Sequence, residues 1–188
     1  MAIAAEAATS LYGAWRLAHL DTGGMAYFNV SVTGFWRSFL AAVLVAPLFA
    51  LLLSVVYPGL EDPPDVARFA SAESIGYVIA WVTYPLVMAW MTKRLGCWDR
   101  FIGYIVAYNW AAVLQNALFI PVNILWISGM IPPEAGFLVW LAAFAAILIY
   151  LWFIARTALG VAPLAASGIV ALDILLSLLV SIITKGFH

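Results

Sequence analysis

Apolar runs long enough to cross a bilayer follow one another along most of this chain, and short polar breaks separate them. The pattern predicts five membrane spans, over about residues 35–57, 74–92, 101–128, 135–156 and 164–184. A helix needs roughly 20 apolar residues to cross. The third run exceeds that, so it must tilt, protrude or kink, and Pro121 is the kink site. Pro47 and Pro85 lie inside the first two spans, where a missing N–H bends a helix. Residues 1–34 precede the first span. There Ile3, Ala7, Leu11, Ala14, Trp15 and Ala18 share one helical face, which predicts a short helix on the membrane surface or packed on the bundle. Asp21-Thr22-Gly23-Gly24 should end that helix, with Ser31 or Thr33 as the cap of the next. The expected fold is all-α: a polytopic bundle of five transmembrane helices over residues 35–188, preceded by a cytoplasmic segment, 1–34, with an interfacial helix.

Polar positions inside the apolar runs set the orientation of the helices. In the third span Asn109, Asn116 and Asn123 recur every seven residues, two helical turns, so their amides share a face, with Tyr108 and Gln115 beside it. An unpaired amide is costly in lipid, so this face should turn toward protein or trapped water. The fifth span carries Asp173 near its centre, followed at near-helical spacing by Ser177, Ser181 and Thr184. Together the two faces predict a polar seam through which the third and fifth helices pack, built from Asn109, Gln115, Asn116, Asn123, Asp173, Ser177 and Ser181. Two readings of the seam stay open. It can be structural, with Asp173 protonated or hydrogen-bonded to Asn or Tyr and fixing the register. It can instead be a proton or cation site, or a wet cavity for a small solute. The fourth span, almost free of polar side chains, is expected to face lipid.

Charge then orients the bundle. Residues 58–73 form the longest polar loop, carrying Glu61, Asp62, Asp65 and Glu73 against Arg68, with Ser71 as the expected cap of the second span. The loop lacks the spacing of a calcium site and reads as a solvated face. With the N-terminus in the cytoplasm, Arg16, Arg37, Lys93, Arg94, Arg100 and Arg156 all fall inside and the acidic loop outside, so the positive-inside rule expects N-in, C-out. Arg37, Lys93, Arg94 and Arg100 are expected at lipid head groups.

Composition agrees and removes other classes. The 188 residues are 66% hydrophobic and 9% charged, with a mean hydropathy of +1.07, whereas a soluble domain carries about 25% charged residues. A net charge of −1 with scattered basic residues gives nucleic acid no reason to bind. Cys97 is the only cysteine, which excludes an internal disulfide or a thiolate cluster. No signal peptide is expected. The catalytic motifs of metalloproteases, hydrolases and nucleotide-binding proteins are missing, and neither histidine lies within a span where it could ligate a haem. No catalytic, metal or cofactor site is therefore expected, and an enzyme is the least supported class.

Several segments carry a family resemblance: GFWRSF entering the first span, GYIVAYNWA opening the third, the kinked FIPVNIL, and LIYLWFIARTALGVAP leading into the last. Over about Phe35 to Thr184 the plan resembles the Yip family, five-span proteins first known as Rab-GTPase interactors, with many bacterial members. The DLYGP-like element of the eukaryotic members is missing, so no Rab-related role is implied. The family has no established catalytic residues, and none are carried over. The resemblance implies a five-helix fold; the basic residues, read by the positive-inside rule, place it in a cell inner membrane with a periplasmic C-terminus. The expected function is association without catalysis: an accessory subunit, scaffold or membrane-organising factor whose partners are the lipid bilayer, other membrane subunits or copies of itself. The alternative is a small-solute or ion/proton transporter using Asp173 and the Asn109/Asn116/Asn123 face.

Overall fold

A computed structural model describes residues 3–186. Helix α1 (Ile3–Ala18) is followed by a 3-10 turn (Thr22–Tyr27), then α2 (Val32–Ser38), α3 (Leu40–Val56), α4 (Val66–Arg94), α5 (Phe101–Ile127), α6 (Pro133–Leu159) and α7 (Pro163–Lys185). Helices α2 and α3 run on as one span with a step at Phe39, and α4 to α7 supply four more. The protein is an all-α, multi-pass membrane bundle. With 27 residues, α5 is about 40 Å long, against a hydrocarbon core of about 30 Å.

Caps decide where the helices begin and end. The Ser31 hydroxyl accepts the Gly34 N–H at 3.1 Å and starts α2. The Asp65 carboxylate accepts the N–H groups of Ala67 and Arg68, so α4 begins at Val66 and not at the expected residue 74. Ser71 lies inside the helix and caps nothing. Two orphan donors satisfied by one carboxylate outweigh the polar character of the residues that follow. At the other end of the chain α6 stops at Gly160, whose φ of +66° is a left-handed conformation that glycine adopts without strain. The Arg100 guanidinium donates to the Leu159 carbonyl there at 3.1 Å, tying the α4–α5 turn to the α6–α7 turn.

These two turns and α1 gather at one end of the bundle, termed proximal. The loop before α4 and the α5–α6 turn mark the distal end. Helix α1 docks at the proximal end against α5 and α6. The face it buries is Glu6, Ser10, Gly13, Ala14 and Leu17, while Ile3, Tyr12 and Trp15 are exposed. It is the expected face turned part of the way round: Ala14 is buried and Ala7 and Leu11 pack against the core, but Ile3, Trp15 and Ala18 are exposed. In lipid an exposed apolar side chain costs little, and small residues let backbones approach. Gly13 and Gly24 show the approach: a Cβ on Gly24 would lie 2.5 Å from the Gly13 carbonyl oxygen. The Tyr150 hydroxyl also donates to the Ala14 carbonyl at 2.7 Å.

Under α1, Glu6 accepts from Asn29 Nδ2 at 2.9 Å and from Arg37 Nη1 at 2.6 Å. Burial pushes the Glu6 carboxyl up, but these hydrogen bonds and the Arg37 charge outweigh it and hold the pKa below its ordinary value. Arg37, expected at a lipid head group, is half-buried and paired with Glu6, and the exposed Arg100 donates to the Leu159 carbonyl. Lys93 lies 4.5 Å over the Trp98 ring and Arg94 5.2 Å over Trp90, both exposed at the proximal end. Cys97, between them and α5, is buried.

Helix α5 is the centre of the bundle and packs on α1, α2, α3 and α6, whereas α7 packs on α4 and α6. The expected packing of the third span on the fifth is not what forms. Nor does the fourth span simply look at lipid. Helix α6 is the main partner of α5 and buries Tyr150, Leu151, Ile154, Ala155, Ala158 and Leu159. The helix most given over to lipid is α3, where only Ala41 and Val45 are buried. A span without polar groups can face lipid at little cost, but nothing obliges it to.

Candidate functional site

The middle of the bundle is open. Helices α4 and α7 pair on one side, with Gly76 so close to Thr184 that a Cβ there would lie 2.3 Å from the Thr184 Oγ1. Helices α3, α5 and α6 form the other side. Between the two groups lies a cavity of about 580 Å³, within the range of small-molecule sites. Each of the five spans contributes to it from its central turns. Ser177 and Leu178 of α7 line the cavity and are also exposed, so it opens sideways beside α7 at mid-span.

On the proximal side the floor is built from tyrosines. Tyr84 and Tyr108 stack with ring centroids 4.2 Å apart. The hydroxyls of Tyr84 and Tyr104 share a hydrogen bond of 2.5 Å, and the Tyr108 hydroxyl donates to Asp173 Oδ1 at 2.8 Å. Asp173 is thus held across the gap between α5 and α7 by a tyrosine. It is the only charged residue among those lining the cavity. Toward α3, Tyr77 donates to the Ala42 carbonyl at 2.6 Å and stacks on Phe49. The distal wall is aromatic, with Trp140 stacked on Phe144 and Phe119 beside both.

Asn109 is fully buried, and its orientation follows from its neighbour. The Ser38 hydroxyl donates to the Phe35 carbonyl at 2.7 Å, so its hydrogen is spent. The group facing it must be a donor, and Asn109 Nδ2 lies there at 2.9 Å. The amide oxygen is left with no partner in the protein, and so is Gln115 Nε2. Both residues line the cavity. An unsatisfied buried polar atom costs about 1–3 kcal/mol, and these two, one acceptor and one donor, are packed behind the cavity wall with almost no accessible surface.

The structure gathers Asn109, Gln115, Asn116, Asp173 and Ser177 around this cavity. Asn123 and Ser181 do not belong to it. Asn123 donates to the Phe119 carbonyl of its own helix at 2.7 Å, and Ser181 is exposed. Asn116 lines the cavity, yet its Nδ2 also bonds its own helix, at the Ala112 carbonyl. The expected seam is therefore two faces held apart, bridged at Tyr108 and Asp173. Sequence reasoning missed Tyr77, Tyr84, Tyr104 and Trp81. Tyr77 and Tyr84 lie two turns apart on α4, and Tyr104 and Tyr108 one turn apart on α5. The periodicity that singled out the asparagines would have found these too.

No family model, curated protein or solved structure matches the chain.

Proposed function

We propose that this protein is a non-enzymatic small-solute carrier of the cell inner membrane, which holds its solute in the mid-bundle cavity with Asp173 as the polar anchor. The observation that supports this reading is the cavity itself. Where a structural seam calls for dry packing between α5 and α7, about 580 Å³ separates them, bordered by one carboxylate among otherwise uncharged side chains. Orientation follows from charge. Arg16, Arg37, Lys93, Arg94, Arg100 and Arg156 lie toward the proximal end, which we assign to the cytoplasm by the positive-inside rule. The C-terminus then faces the periplasm.

Reconstituted in liposomes, Asp173→Asn should lower solute or proton flux by about tenfold or more while the protein unfolds at a similar temperature. Equal flux in the variant and the parent would sink the proposal. A second reading, association as an accessory subunit or scaffold, is supported by the missing catalytic motifs and by polar helix faces suited to packing. Crosslinking in native membranes tests it: a lone monomer with no captured partner ends that reading and leaves the first untouched.

A further inference from the structure

We infer that the guest of the cavity is a lipophilic ammonium ion: an amphipathic primary or secondary amine whose charged end meets Asp173 and whose apolar body lies against the aromatic walls. This inference rests on reading the cavity as a binding site and supplies the class of molecule it takes.

Charge argues first. Asp173 is the one carboxylate lining the cavity, and no lysine, arginine or histidine among the lining residues answers it. An anionic guest would meet that carboxylate without compensation in a medium where charge is poorly screened. A cation completes a pair. Ring chemistry points the same way. Tyr77, Trp81, Tyr84 and Tyr108 line one region and Trp140 and Phe144 another, and the faces of such rings attract cations. The Tyr108 hydroxyl already donates to Asp173 Oδ1, which fixes the carboxylate in place and leaves Oδ2 to a guest.

The hydrogen-bond inventory narrows the class further. Asp173 Oδ2 is a hydrogen-bond acceptor, so it pairs best with a guest that carries a donor. Primary and secondary ammonium groups carry N–H donors; a quaternary ammonium carries none. The mouth beside Ser177 and Leu178 opens at mid-span, so the route in is from the hydrocarbon, which selects a guest with an apolar body.

Three probes that share one skeleton test this: 4-phenylbutylamine, 4-phenylbutanol and 4-phenylbutyrate, titrated calorimetrically into the protein in nanodiscs, with empty nanodiscs subtracting partition into lipid. The amine should bind about tenfold tighter than the alcohol, as one charge-assisted hydrogen bond would give, and the butyrate more weakly than either. Asp173→Asn should bring the amine to the affinity of the alcohol. Ala112→Phe, which fills the cavity, should abolish binding of all three. If the alcohol or the butyrate binds as well as the amine, and Ala112→Phe removes that binding, the cavity is a site and the ammonium class is wrong. If none of the three binds, or Ala112→Phe leaves binding unchanged, the cavity reading itself fails. Should Asp173→Asn not fold, the comparison of the three probes on the parent protein decides the matter alone.

Discussion

The proximal and distal halves of the bundle draw on the same helices and much the same residue types, yet the first is closely packed and the second only in places, as where Gly76 meets Thr184. In the proximal half Tyr104, Ile105, Ile154 and Leu159 are at most 1% exposed. In the distal half α5 leaves Leu118, Leu125 and Ile127 exposed, α6 leaves Leu138, and α7 leaves Leu179 and Ile182. Hydropathy does not separate the two. Small residues do. Ala107 and Ala111 on α5, Ala155 and Ala158 on α6 and Ala166 on α7 are buried in the proximal core, where they let backbones approach. Around the cavity those positions are taken by Phe49, Trp81, Phe119, Trp140 and Phe144, whose bulk props the helices apart. In a bilayer apolar character keeps a helix in place, while small side chains and a few hydrogen bonds determine what it touches.

The sharpest test of that contrast compares two truncations on one helix. Ile154→Ala empties a wholly buried proximal position and should cost about 2–5 kcal/mol, whereas Leu148→Ala, which already borders the cavity, should cost under about 1 kcal/mol. Reversible unfolding of both variants in mixed micelles measures the difference, and equal losses would dissolve the distinction between the halves. Smaller in size is the effect of Glu6→Gln, which weakens the two hydrogen bonds beneath α1 and should cost about 1.5–3 kcal/mol. It should also open the chain to trypsin at Arg16, in the last turn of α1; an unchanged digestion pattern would show that the pair does not hold the helix. The same pair has a pH signature. The folded pKa of Glu6 lies below its ordinary value of 4.5, so its contribution is fully present above that pH and is lost as pH falls through the lower, folded value. Smallest of all is Asn116→Ala. This amide bonds only its own helix, so its loss should move stability by less than about 0.6 kcal/mol, the average for hydrogen bonds between membrane helices.

The sequence carries the number of spans, because a run of twenty apolar residues has few other uses. It carries less about the faces. Ile3 and Trp15 look like a buried stripe to a reader who assumes water outside, and both are exposed. The asparagine spacing correctly marks one side of α5, but spacing cannot tell whether a short amide reaches a neighbour. Asn109 reaches Ser38; Asn116 and Asn123 turn back on the carbonyl four residues earlier. Asp173 stands out in any reading, since a carboxylate in an apolar run demands a partner. That the partner is Tyr108 depends on how far α7 stands from α5, and no local pattern carries that distance. For the same reason the sequence leaves a wet cavity as only one of two open readings of the seam, because the cavity exists only where five helices fail to meet.

The bond from Tyr150 to Ala14 spans 136 residues, and that from Tyr108 to Asp173 spans 65. On the ribosome these separations become an order of events. Helix α1 emerges first, and its contacts with Asn29 and Arg37 can form early, but its final anchor is not made until the fourth span has been synthesised. The cavity gains its carboxylate only with the fifth. Until then Tyr108 faces a bundle with one wall missing, so the cavity is the last part of the bundle to be enclosed.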